Sequence, residues 1–229
     1  MGSMHTGLEE VGDWNRIVEF YKSRALGEVG LIITGGIGPN LEGSVLPGAA
    51  MMVNEKDVKN HKMVTEAVHD AGSKMAMQIL HAGRYAYSDK AVAPSAVKAP
   101  ISPFSPSELD EEGIEKQISD ISRSAYLAQC AGYDGVEIMG SEGYLINQFL
   151  VCHTNKRVDR WGGSYENRMR FPLELLNSVR ESVGNDFIII YRLSMLDLIP
   201  GGSNWEEVVQ LAKEVEKTGV NIINTGIGW

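Results

Sequence analysis

The chain has 229 residues, 43% of them hydrophobic and 22% charged, with a formal net charge of −9. That length can bury one sizeable core, while the acidic balance, with no run of Lys or Arg, argues against a nucleic-acid partner, which needs a basic footprint. No apolar run approaches the roughly 20 residues of a membrane span, and the opening "MGSMHTGLEE" lacks the basic and apolar regions of a signal peptide, so a cytoplasmic protein away from membranes is expected.

In chain order, "MGSM" looks like the tail of a strand, and "VGLIITGG" (29–36) is the first complete one. The following "GGIGPN" is Gly-rich but lacks the G-x-G-x-x-G spacing of a dinucleotide-binding turn. A helical pattern ends at Gly72, a position that suits a C-cap glycine. Then come a strand, "SKMAMQIL" (73–80), and a Pro- and Ser-rich insert from Ala82 to Asp110. A second helix closes at Gly132, before the strands "YDGVEIMG" (133–140) and "DFIIIYRLS" (186–194). The last helix is predicted to open at Ser203, with Glu206 at capping-box spacing, ahead of "VNIINTGIG" (220–228).

The runs are continuously apolar, as parallel strands covered on both faces are, and strand–helix alternation points to an α/β fold. Polar residues gather at strand ends: His5, Gln78 with His81, Glu142 with Tyr144, Arg192 with Ser194, and Asn224 with Thr225. A (β/α)8 TIM barrel places its chemistry there, and the 82–110 insert suits a loop over that mouth. Five strands and one tail predict a truncated barrel of about six of eight βα units, one domain over 1–229, incomplete at both ends. Cys130 and Cys152 form no CxxC pair and lie near no His cluster, so neither a disulfide framework nor a metal site is indicated.

Tyr144 stands out because a strand that merely turned back would not need "MGSEGYLINQFL" (139–150) after it. The stretch "GVEIMGSEGYLINQFLVCHTNKRVDRWGGSYENRMRF" (135–171) resembles the old yellow enzyme family of FMN-containing barrels, as do "MQILHAGR" (77–84) and "IIYRLS" (189–194). Within that family the chain is most similar to the bacterial 2,4-dienoyl-CoA reductases. Many other members carry two histidines where this chain has Met139 and Glu142, which speaks for the thioester-reducing branch.

The resemblance implies FMN, with Ser3, Met4, His5, Gly36, Gln78 and Arg192 around it, Gln78 on the pyrimidine edge and Arg192 beside the charge that the reduced ring carries. It implies Tyr144 as proton donor, and "HTNK" (His153, Thr154, Asn155, Lys156) as the contact for a small-molecule acyl-CoA substrate. Arg168 and Arg170 would buttress the loop, and His81 would be a core histidine, or one just behind the flavin contacts, with its ring nitrogens satisfied. Glu142 either tunes a neighbouring group or caps the next helix. The activity implied is NADPH-dependent reduction of 2,4-dienoyl-CoA in β-oxidation of unsaturated fatty acids. Strands for the FMN phosphate, a further catalytic histidine, a 4Fe-4S cluster, FAD and NADPH sites are then expected in a longer parent. The chain alone is expected to be inactive and aggregation-prone. Two other readings stay open: another flavin-dependent enone reductase or amine dehydrogenase, and a non-catalytic fragment.

Overall fold

The computed structural model describes residues 1–229. In chain order its elements are α1 (Trp14–Ala25), β1 (Leu31–Ile37), α2 (Glu55–Asp70), β2 (Lys74–Ile79), the short strands β3 (Val92–Ala93) and β4 (Ser107–Glu108), α3 (Glu111–Cys130), β5 (Gly135–Gly140), α4 (Leu145–Leu150), α5 (Tyr165–Val183), β6 (Ile188–Leu196), α6 (Trp205–Lys217) and β7 (Ile222–Ile227). Five strands form one all-parallel sheet in the order β1-β2-β5-β6-β7. Each predicted apolar run supplies one of them. The 82–110 insert carries β3 and β4, which pair only with each other.

Side chains along a strand alternate between faces, and the two faces have different occupants. Ile32, Met75, Met77, Val136, Ile138, Ile189, Tyr191 and Leu193 meet Val64 and Val68 of α2, Ile121 and Ala125 of α3, Leu175 and Val179 of α5, and Leu211 and Val215 of α6 in one large core. On the opposite face Ile33, Ala76 and Ile190 form a small separate cluster. Members of that cluster come from β1, β2 and β6, reaching past β5, where Gly135 carries no side chain. Asn224 of β7 likewise bonds Glu137 of β5 at 2.6 Å across the intervening β6. The sheet is therefore curled, with this face concave.

"MGSM" is held beside β1 by two bonds, from the Met1 amine to Leu31 O (2.6 Å) and from Ile33 N to Met1 O (2.9 Å), and forms no regular strand. Gly35 makes that approach possible, because a Cβ there would stand 2.8 Å from Met4 O. The capping box of α6 lies one residue later than predicted: Asn204 caps and Glu207 reciprocates. Ser203 is already engaged, its N–H donating to Asp197 at 3.0 Å.

Strand β7 pairs on one side only and leaves Ile222, Ile223 and Ile227 exposed. An open strand edge with apolar side chains is a template for further pairing. The isolated chain is expected to self-associate in light scattering, and Ile223→Lys to reduce that association; a monodisperse wild-type chain would contradict this. No helix is long and apolar enough to cross a membrane.

Candidate active site

At the C-terminal ends of β1, β2, β5 and β6 the concave face opens into a cavity of about 330 Å³. All seven residues predicted for catalysis and cofactor binding border it: Ser3, Met4, His5, Gly36, Gln78, Tyr144 and Arg192. Val45, Leu46, Leu80, Met139 and Glu142 complete the wall. Half of the lining is hydrophobic and half polar or glycine, so the cavity offers an apolar surface with a few fixed donors and acceptors.

Gln78 has a fixed orientation. Its Nε2 donates to Glu137 Oε2 at 2.6 Å, its Oε1 accepts from the Ser3 hydroxyl at 2.9 Å, and its backbone N–H donates to Thr34 Oγ1 at 3.0 Å. Gly36 serves the cavity through Leu80, whose side chain fills the space that a Cβ at Gly36 would take, 2.7 Å away. His5 is exposed and shares a 2.6 Å hydrogen bond with Glu10.

Arg192 donates from Nε and Nη2 to one oxygen of Glu142, at 3.0 and 2.6 Å. This is the ion pair that a half-buried guanidinium requires, although β6 runs on to Leu196 and so places Arg192 inside the strand rather than at its end. Glu142 does not cap α4. It sits in the left-handed region at φ +57°, a conformation that costs a non-glycine residue about 1 kcal/mol. Its side chain is turned to Arg192, and Tyr144 takes the N-cap position of α4 without a side-chain bond to the helix.

The peptide before Tyr144 is gripped from both sides by α4. Asn147 Oδ1 accepts from Gly143 N at 2.8 Å, and Gln148 Nε2 donates to Gly143 O at 2.6 Å. Both side chains are buried, so the clamp is shielded from water. It fixes where the Tyr144 phenol points, beside the Tyr85 ring at 6.2 Å and 83°. Burial raises the Tyr144 pKa, Glu142 and Tyr85 raise it further, and Arg192 partly opposes them. The phenol is therefore protonated around neutral pH.

Residues 1–227 match the model of the NADH:flavin oxidoreductase / NADH oxidase family. The chain belongs to that family. Over its whole length it is 40% identical to a metal reductase of Desulforamulus reducens, covering 35% of that protein. The structure of 2-naphthoyl-CoA reductase with 2-naphthoyl-CoA superposes with a TM-score of 0.86 at 35% identity, over 93% of this chain and 35% of the other. An old yellow enzyme homologue from Zymomonas mobilis gives 0.85 at 31% identity, over 93% and 64%. The chain thus spans about a third of its longer relatives.

In this member of the NADH:flavin oxidoreductase family the stretch 153–156 is divided by the fold. Thr154 Oγ1 donates to Gln148 O at 2.8 Å, and Asn155 Nδ2 donates to Phe149 O and Trp161 O at 2.7 and 2.8 Å; both residues are buried. Those groups hold the chain after α4. His153 and Lys156 are exposed, and Lys156 Nζ donates to Cys152 O at 2.7 Å. None of the four borders the cavity. Arg168 buttresses the loop as expected, bonding Leu150 O and, at 2.8 Å, Glu207, while Arg170 bonds Arg160 O at 2.9 Å.

His81 is buried away from the cavity, accepts at Nδ1 from Gly83 N at 3.1 Å and has no partner at Nε2. Sequence reasoning missed Glu137, Asn147 and Gln148. Glu137 had a readable signal, an acidic residue inside a run otherwise apolar on both sides. Asn147 and Gln148 had none, since polar residues early in a short helix ordinarily face water.

Proposed function

We propose that this chain forms the flavin end of an FMN-dependent NAD(P)H oxidoreductase that reduces a conjugated double bond. The observation that carries the reading is the cavity, where a protonated, clamped Tyr144 shares one small volume with the Gln78 amide and the Arg192 guanidinium. The donor set fits an isoalloxazine ring: an apolar surface for the ring system, an oriented amide for a pyrimidine edge that both donates and accepts, and a permanent cation. FMN held there supplies two-electron hydride chemistry between NAD(P)H and the substrate.

The protein's own part follows from the geometry. Gln78, with Ser3 behind it, orients the ring edge. Arg192 offers positive charge, and the donors it does not give to Glu142 remain for the cofactor. Tyr144 delivers a proton to the carbon next to the one that accepts hydride, and the phenolate left behind is restored from solvent. Met139, Leu46 and Leu80 keep the cavity apolar and limit water.

The finer reading is a 2,4-dienoyl-CoA thioester as substrate, with NADPH as the electron source, in fatty-acid β-oxidation. Support comes from Met139 and Glu142, which present a thioether and an ion-paired carboxylate where a carbonyl-clamping pair of donors would otherwise stand. Further support is the structural likeness to a reductase holding an aryl-CoA thioester. His153 and Lys156, exposed after α4, are the side chains of the 153–156 loop that face solvent and can meet a CoA moiety, Lys156 with the ammonium donors it does not give to Cys152 O. In this reading the chain is part of a closed (β/α)8 barrel in a longer protein that also carries FAD and a 4Fe-4S cluster.

The test is FMN titration of the longer protein that contains this chain, followed by turnover of a dienoyl-CoA, a simple enone and a secondary amine with the matching electron partner. FMN binding with preferential dienoyl-CoA reduction is expected. Enone reduction alone, or amine oxidation, would replace the substrate assignment, and absence of FMN binding would overturn the reading as a whole.

A further inference from the structure

The concave face holds one ionisable side chain that the scheme above does not use. Glu137 of β5 is fully buried. It shares its face with Met139, two residues on, which borders the cavity, and it stands in register beside Gln78. Its oxygens accept from two amides, Gln78 Nε2 and Asn224 Nδ2, each at 2.6 Å. No Lys, Arg or His pairs with it, although Arg192 lies on the neighbouring strand and pairs with Glu142 instead.

A buried carboxylate without a cation is expensive, because two amide bonds only partly offset its loss of hydration. As a mere filler of the concave face it would be a poor choice, since the neighbouring Ile33, Ala76 and Ile190 fill that face with apolar groups. What the carboxylate supplies is direction. A glutamine amide can lie either way round, and the two orientations exchange a donor for an acceptor. With a carboxylate on one side and the Ser3 hydroxyl on the other, only one orientation satisfies both neighbours: Nε2 toward Glu137 and Oε1 toward Ser3. Asn224 holds the second carboxylate oxygen and so stops the group from rotating.

We propose that Glu137 is a positioning residue for the flavin: it locks the Gln78 amide in one orientation, and its buried negative charge biases bound FMN toward the oxidised state. This rests on FMN occupying the cavity against Gln78. Reduction adds negative charge to the ring, and a fixed negative charge one side chain away, in a water-poor interior, opposes that addition. Arg192 acts in the opposite sense, with its charge partly taken up by Glu142. The pair of opposing charges sets the potential at which the cofactor passes electrons on.

Two substitutions separate the halves of the proposal, measured in the FMN-loaded protein by reduction potential and by titration with oxidised FMN. Glu137→Gln keeps the size and, if the Asn224 amide turns over, keeps both hydrogen bonds, so it removes charge alone. It is expected to raise the affinity for reduced relative to oxidised FMN about tenfold, a potential about 30 mV more positive for a two-electron couple. Glu137→Asp keeps the charge but falls one methylene short of Gln78, releasing the amide. Its affinity for oxidised FMN is expected to fall about tenfold.

A wild-type potential in Glu137→Gln overturns the charge half, and wild-type FMN affinity in Glu137→Asp overturns the positioning half. Should the glutamine variant not fold, the aspartate variant still decides the positioning half. A wild-type protein that binds no FMN overturns the function proposed above. FMN binding to a protein in which both variants are silent overturns only the role of Glu137.

Discussion

Replacing Tyr144 with Phe is expected to lower substrate turnover by about 10²- to 10⁴-fold, the range for loss of a positioned general acid. The ring keeps its packing against Tyr85 and only the hydroxyl is lost, so folding and flavin affinity should be unchanged. The two half-reactions should separate. Flavin reduction by NAD(P)H draws no proton from a phenol and should proceed at the wild-type rate, whereas reoxidation by substrate should slow by the full factor. Stopped-flow absorbance at the flavin band reads both. Equal slowing of the two would mean that Tyr144 places the cofactor, and unchanged reoxidation would remove it from the chemistry.

The raised pKa of Tyr144 has a kinetic consequence as well. Burial, Glu142 and Tyr85 all favour the neutral phenol, so reoxidation in the wild type should show no loss on the alkaline side until above the usual tyrosine range, near 10. Neutralising the carboxylate with Glu142→Gln should bring that alkaline limb down.

The site was legible where chemistry and strand register coincide. Gln78 lies next to the end of β2 and Arg192 midway along β6, which runs on to Leu196, and the alternation that buries Met77 and Tyr191 in the helix-facing core turns Gln78 and Arg192 into the cavity. The loop around Tyr144 was legible because two glycines and a glutamate close an apolar run, a mixture that a simple turn would not need. The packing reasons for the glycines lie in distant residues: a Cβ at Gly140 would run into the Tyr191 ring, and one at Gly143 would stand 2.7 Å from Trp229. What was not legible depends on distant partners. The resemblance made Thr154 and Asn155 substrate contacts, yet their hydroxyl and amide close backbone groups of residues 148–161. Ser203 and Asn204 both suit an N-cap, and the choice between them was made by Asp197, which takes the Ser203 amide. Val45 and Leu46 reach the cavity from the loop after β1, where glycines and prolines set a path that no periodicity encodes.

Acid should destabilise the fold well above the carboxylate range, because two buried histidines must stay neutral. His61 on α2 bonds Tyr133 Oη at 2.7 Å through Nδ1 and leaves Nε2 without a partner, and His81 likewise has an unpartnered Nε2. Burial pushes each from the ordinary 6.5 down to about 4, opposed at His81 by the carboxylate of Glu42. The folded-state pKa values are depressed, so the unfolded chain binds more protons across this window and stability falls as pH drops. The contribution is complete above about pH 6.5, is lost progressively below it, and levels off once pH passes the folded values near 4. Each histidine accounts for on the order of 3 kcal/mol across that span, a large part of the stability of an ordinary domain. Urea unfolding at pH 7, 6 and 5 should show the midpoint falling with a slope approaching two protons. In His61→Leu the slope should be about halved, whatever the offset at pH 7 from leaving the Tyr133 hydroxyl unpaired. A midpoint that is flat from pH 7 to 5 would show that the two rings find a counter-charge on protonation, with Glu42 the nearest source of one for His81.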